Sequence, residues 1–146
     1  MQLRHDSLVV VADGRKALFL RNEGDGLHPN LVVEHAEERI NPADRDQKSD
    51  GPGSMANVLR SPRSTVDEVD FHRLEEDRFA ADIAATLKQR ALANEFESLI
   101  VAAPPHTLGE LRKHYHVEVA NRLAGEIPKD LTGHPIPEIE KALTAA

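Results

Sequence analysis

The stretch that most constrains the fold is SLVVVADGRKALFLRN, residues 7–22, in which two apolar runs flank a turn signal. The runs Leu8 to Ala12 and Lys16 to Leu20 are rich in residues that favour β-strands. They are joined by Asp13-Gly14, a dipeptide that tolerates positive φ and suits a two-residue hairpin. We therefore predict a β-hairpin, in which Asp13 is interpreted as a turn former and a catalytic role is the alternative.

Three further stretches predict additional strands. LVVEHAEE, residues 31–38, follows a turn rich in Gly and Asn and extends the hairpin into a meander. The run Leu99 to Ala103 is almost wholly apolar, as expected of a strand covered on both faces and central in the sheet. A last strand is predicted near Leu123 to Ile127, within a stretch that is ambiguous between helix and strand.

Helical periodicity and capping patterns predict the other elements. Thr65 and Glu68 form a capping box, so a long helix should begin near Val66. Apolar residues recur on it with a period of 3.6 and predict the face that packs on the core: Val69, Phe79, Ala80, Ile83, Ala84, Leu87 and Ala91.

Two shorter helices follow in the sequence. A second capping box, Thr107 to Glu110, predicts a helix after Pro104-Pro105 with Leu108 and Leu111 on its inner side. A terminal helix should turn its apolar side chains inward, namely Ile136, Ile139 and Leu143. The sequence thus predicts a single α/β domain over residues 1–146, with a mixed β-sheet of about five strands flanked by helices.

Composition narrows the classes of function. The chain has 18 Lys and Arg against 25 Asp and Glu, and its net charge of -7 argues against indiscriminate binding to a phosphate backbone. It contains no cysteine, which excludes disulfides and thiolate chemistry. No apolar run resembles a signal peptide or a membrane span, so we expect a cytoplasmic protein without membrane contact.

The chemistry-bearing residues form few recognisable motifs. His72 and Glu76 lie at i and i+4 on the predicted long helix, and we interpret them as a polar pair that bonds internally or faces the long loop. His114 and His116 alone are a weak metal signal, so no metal and no cofactor are predicted. No catalytic residue is assigned, and a phosphoester hydrolase using carboxylates such as Asp13 is kept as an alternative.

A long loop at about residues 38–64 exceeds the usual length of a structureless connection. It is either a solvated connector or a binding loop. The binding interpretation depends on its cations, which can meet phosphates without a basic fold. The candidate RNA-binding loop residues are Arg45, Lys48, Gly51, Gly53, Arg60 and Arg63.

Five segments occur in an order that resembles the bacterial host attachment protein family, described as required for attachment to host cells. They are VVVADGRKALFL, DGPG, DRFAADIAATL, LIVAAPPHTLGELR and EIPKDLTGHP. That family is similar to the central domain of archaeo-eukaryotic class-one release factors. In that domain a hairpin precedes a long loop carrying Gly-Gly-Gln, and a long helix follows. Here Gly51-Pro52-Gly53 takes the corresponding place and the motif is missing.

The resemblance implies a release-factor-like domain that binds the ribosome or tRNA-bearing complexes through the long loop, without release-factor catalysis. Enzymatic activity of any kind is less expected than its absence. The alternative function is attachment of the bacterium to host cells, exerted indirectly through regulation or surface-polysaccharide metabolism. The sequence leaves the oligomeric state open.

Overall fold

The strand Leu8–Ala12 is buried at every position, so both faces of the β-sheet lie inside the protein there. A computed structural model describes residues 1–40 and 62–146, and for residues 62–67 it describes the backbone alone. The strands are β1 Leu8–Ala12, β2 Lys16–Asn22, β3 Leu31–Glu38, β4 Leu99–Ala102 and β5 Leu123–Ile127. They form one sheet with the order β3-β2-β1-β4-β5.

The sheet is mixed because the chain makes a meander first and crosses over afterwards. β1, β2 and β3 pair antiparallel, whereas β4 pairs parallel with both β1 and β5. This confirms the predicted meander, the interior position of the apolar run after Ser98 and the strand at Leu123–Ile127. The α/β fold class predicted from the sequence is therefore correct.

The hairpin turn closes differently from the prediction. Ala12 pairs with Ala17, and the amide of Asp13 donates to the carbonyl of Lys16 at 2.9 Å, so the loop residues are Gly14 and Arg15. Gly14 does not have a positive φ. The Asp13 carboxylate instead accepts hydrogen bonds from the amides of Arg15 and Lys16, both at 2.7 Å. Because this side chain closes the turn, left-handed backbone is not required.

Helices cover both faces of the sheet. They are α1 Pro62–Leu92, α2 Pro105–His114, α3 Val117–Arg122 and α4 Ile136–Ala145. On one face, Leu8 and Val10 of β1 share a core with Phe79, Ile83 and Leu87 of α1 and with side chains of α2 and α3. On the other face, β1 contributes Val9 and Val11 to a second core that includes Ile139 and Leu143 of α4.

The predicted helix starts and one predicted core residue are wrong. α1 begins at Pro62, so Thr65 lies inside the helix, and α2 begins at Pro105 with no side-chain hydrogen bond at its N-cap. Proline is favoured in the first turn because its missing amide hydrogen is not needed there. Val69 is 58% exposed, because the inward face of α1 is buried only from Phe79 onward. Within the described ranges, no helix combines the length and apolar character needed to cross a bilayer.

Candidate functional site

Parallel strands bring distant loops to one edge of the sheet. The carboxyl ends of β1, β4 and β5 lie at the same edge, because these three strands run in the same direction. Ligands of open α/β sheets commonly bind outside such carboxyl ends. Asp13 follows β1, His106 follows β4 and Asp130 follows β5. We call the surface formed by these loops, together with the facing part of α1, the carboxyl edge.

A threonine hydroxyl links two of these loops. Thr132 Oγ1 lies 2.6 Å from Asp130 Oδ1 and 3.0 Å from Asp13 Oδ2. The amide of Thr132 also donates to Asp130 Oδ1 at 3.0 Å. Asp13 therefore closes the hairpin turn with one carboxylate oxygen and contacts the loop after β5 with the other. This geometry supports the interpretation of Asp13 as a structural residue.

The hairpin turn also approaches α1 closely. A Cβ atom placed on Gly14 would lie 2.6 Å from both Cγ and Cδ of Glu76. Beside this contact is a cavity of about 210 Å³. It is lined by Gly14, Arg15, Arg39, Ile40, His72, Glu75 and Glu76.

The predicted polar pair lies on one wall of this cavity. His72 and Glu76 both line it, and His72 Nδ1 is 3.5 Å from Arg15 Nη2. Since arginine only donates hydrogen bonds, this contact requires Nδ1 to be the acceptor nitrogen of the imidazole. A direct bond between His72 and Glu76, or a role of the pair toward the long loop, stays a prediction.

Arg39 secures the chain at the cavity rim. Its amide donates to the carbonyl of Arg15 at 2.7 Å, and its guanidinium pairs with Asp82 and lies 5.1 Å from the ring centroid of Phe79. Ile40, the last residue described before the gap, lines the same cavity. The described chain before the gap therefore ends at the carboxyl edge.

The predicted RNA-binding loop residues fall almost entirely on that segment. Arg45, Lys48, Gly51, Gly53 and Arg60 lie outside the described residues. Arg63 belongs to the start of α1, where only the backbone is described.

Many arginines of the described body contact carboxylates. Arg90 and Arg21 hold Glu34 at 2.9 and 3.3 Å. Burial raises the pKa of Glu34, but hydrogen bonds and charge from these two arginines outweigh that effect and lower the pKa below its usual value. Other pairs are Arg39–Asp82, Arg78–Glu75, Arg112–Glu126 and Arg122–Glu118. The carboxylate in such a pair partly neutralises the arginine and so weakens its attraction for a phosphate.

A cluster that the sequence analysis missed lies beside the carboxyl edge. His106 Nε2 is 2.9 Å from Asp77 Oδ1, and Glu110 lies one helical turn after His106. The spacing of His106 and Glu110 is a signal readable from the sequence, because residues at i and i+4 share a helix face. The approach of Asp77 required the packing of α1 against α2.

Comparison with known proteins identifies the family. Residues 6–143 match the family described as bacterial archaeo-eukaryotic release factor family 12. The chain belongs to this family. The relation to release factors implied by the sequence resemblance is thus confirmed for the family-12 chain, whereas the host attachment name finds no support in the comparisons.

A solved structure gives a more distant likeness. The family-12 chain is similar to S. cerevisiae Dom34, described as a translation termination-like factor involved in RNA quality control pathways and interacting with Hbs1. The identity is 10% and the TM-score 0.44, and the match covers 94% of the family-12 chain. It covers 32% of the Dom34 chain, so the family-12 chain spans about a third of that protein. No curated protein matches the sequence.

Proposed function

We propose that the family-12 chain is a module that binds the ribosome or a tRNA-bearing complex without catalysing ester hydrolysis. The observation that carries this proposal is the family match over residues 6–143. Release factors act on the ribosome, so a domain related to them is a candidate for binding the ribosome or tRNA. Fold alone does not determine function. The proposal therefore also needs residues that can contact RNA.

We assign those contacts to the segment 41–61 and to Arg63. The segment carries Arg45, Lys48 and Arg60, and Ile40, the described residue that precedes it, lines the cavity at the carboxyl edge. The paired arginines of the body attract phosphates less strongly, since each is partly neutralised by a neighbouring carboxylate. Gly51 and Gly53 would allow a backbone to approach a phosphate closely.

The proposal excludes the release-factor reaction. The resemblance places Gly51-Pro52-Gly53 where the related domain has Gly-Gly-Gln, and the sequence contains no Gly-Gly-Gln. No side chain of the carboxyl edge is proposed to replace the missing glutamine. We therefore expect binding without hydrolysis of peptidyl-tRNA.

Affinity capture tests the proposal. The tagged chain, purified from its native lysate at low salt, should enrich ribosomal RNA or tRNA, and the variant R45A/K48A/R60A/R63A should lose that enrichment. A control variant, R73A/K88A/K129A/K141A, removes the same charge from exposed positions of the body and should retain it. Capture without RNA, or equal capture by the loop variant, would argue against the proposal.

The alternative is the indirect role in attachment to host cells. It predicts that a deletion strain attaches poorly while the tagged chain captures no ribosomal RNA or tRNA. No contact in the described structure favours it, and the capture experiment separates the two functions.

A further inference from the structure

Three potential metal ligands meet between α1 and α2. Asp77, His106 and Glu110 each offer one ligand atom, and these atoms all lie within 4.8 Å of one another. The side chain of Glu110 is only 14% exposed, and that of Asp77 is 32% exposed. We propose that these three residues bind a divalent transition-metal ion, with zinc as the best match.

The backbone around His106 positions the ligands. Pro104 and Pro105 precede it, and α2 begins at Pro105. Proline fixes φ, so the direction in which the helix begins is restricted. His106 and Glu110 then lie one turn apart on one face. Buried Leu108 and Leu111 hold the opposite side of α2 against the core that also contains Phe79 of α1.

The distances require a small rearrangement. Ligand atoms bound to zinc at about 2.0–2.1 Å in tetrahedral geometry lie about 3.3 Å apart. His106 Nε2 and Asp77 Oδ1 are already 2.9 Å apart. The largest separation would have to close by at most about 1.5 Å, estimated from the same bond lengths, and rotation of the Glu110 side chain could supply this.

The donor set selects the class of metal. Imidazole nitrogen suits zinc, copper, iron and nickel, whereas magnesium and calcium prefer oxygen ligands alone. One imidazole and two carboxylates leave a fourth tetrahedral position for water or a ligand. This proposal departs from the sequence-based expectation of no metal, in which His114 and His116 were the closely spaced pair and gave a weak signal.

The positive charge of Lys113 should weaken metal binding at Glu110, and this provides a test. Lys113 Nζ lies 2.7 Å from Glu110 Oε1, and its positive charge repels a cation bound by Glu110. The ordinary alternative is that the cluster is two ion pairs, Asp77 with His106 and Glu110 with Lys113. Under that alternative, removal of Lys113 has no effect on zinc, because no zinc binds.

Isothermal titration calorimetry of the full chain with zinc chloride distinguishes a zinc site from two ion pairs. We expect one zinc per chain, no saturable binding by H106N, and binding at least about tenfold weaker by E110Q, as is typical even for changes around a metal site. K113M should bind several-fold more tightly. The control H114N changes an exposed histidine at the end of α2 and should bind like the wild type.

Cobalt substitution gives a second measurement. The visible absorption of bound Co²⁺ should appear with the wild type and be absent with H106N. The absence of saturable zinc binding by the wild type, equal binding by H106N, or no tightening in K113M would each overturn the three-residue site. Circular dichroism shows whether each variant is folded. The result is independent of the proposed RNA binding, because no loop residue takes part.

Discussion

The Asp13 carboxylate and the Thr132 hydroxyl lie 3.0 Å apart although 119 residues separate them in the sequence. This contact ties the hairpin turn after β1 to the loop after β5. Both loops lie at the carboxyl edge, on either side of β4. The contact therefore joins the two flanks of the parallel part of the sheet.

Replacing Thr132 by valine tests the contribution of this contact. Thr132→Val keeps the shape of the buried side chain and removes the hydroxyl that lies between two carboxylates, so we expect a loss of about 1–2 kcal/mol in the free energy of unfolding. Urea denaturation measures it. Thr144→Val removes an exposed hydroxyl that bonds backbone carbonyls of α4 and should change the value by less than about 0.5 kcal/mol. Equal stability of both variants would refute a special role for Thr132.

The close approach of Gly14 and Glu76 predicts a coupling between the two positions. Gly14→Ala should destabilise the protein by about 0.5–1 kcal/mol, because its Cβ displaces the Glu76 side chain. In a Glu76→Ala background the same change should be neutral or stabilising, since Gly14 has no positive φ and alanine restricts the unfolded chain. A double-mutant cycle from urea denaturation measures the coupling. Additive effects would contradict the proposed collision.

Two leucines of α1 test which part of the helix supports the core. Leu87 is fully buried, and Leu87→Ala should cost about 2–5 kcal/mol. Leu74 is 48% exposed, and Leu74→Ala should cost less than about 0.5 kcal/mol. The midpoints of chemical denaturation give both values. Comparable losses of stability in the two variants would mean that the first half of α1 is also buried against other parts of the protein.

Glu34 predicts a dependence of stability on pH. Its pKa in the folded protein is lowered below the usual 4.5, so its contribution is full above pH 4.5 and is lost as the pH falls through the folded value. Glu34→Gln should cost under about 1 kcal/mol at pH 7, because the pair is partly exposed. The difference from the wild type should shrink below pH 4.5. Denaturation at several pH values checks this.

The control for that prediction is Glu97→Gln, which changes an exposed carboxylate before β4. It should alter stability by less than about 0.5 kcal/mol across the same pH range. A Glu34→Gln deficit that stays constant down to pH 3 would show that lost packing, and not lost charge, is responsible.

The strands were predictable from the sequence because their signal is local. The unbroken apolar runs from Leu8 and Leu99 specify strands buried on both faces whatever the rest of the chain does. The starts of the helices could not be predicted in this way, because a Thr-x-x-Glu pattern also occurs inside helices. Pro62 and Pro105 start α1 and α2 three and two residues before Thr65 and Thr107.

The candidate sites depended more on tertiary packing. The spacing of His72 and Glu76 predicted a shared helix face, and both residues line one cavity. Asp77 and His106 are 29 residues apart, and their contact arises only when α1 packs on α2. No local pattern encodes such a meeting. The family resemblance supplied the relation to release factors, which the residues alone did not.

The most direct test of the proposed function is the salt dependence of ribosome binding, measured by co-sedimentation. For the wild type, the logarithm of the binding constant should fall linearly with the logarithm of salt concentration. The slope should decrease by about three in R45A/K48A/R60A/R63A, since each lost phosphate contact contributes about 0.7–0.9. It should be unchanged in R73A/K88A/K129A/K141A. An unchanged slope in the loop variant, or the same decrease in both variants, would contradict the proposal that the segment 41–61 and Arg63 contact RNA.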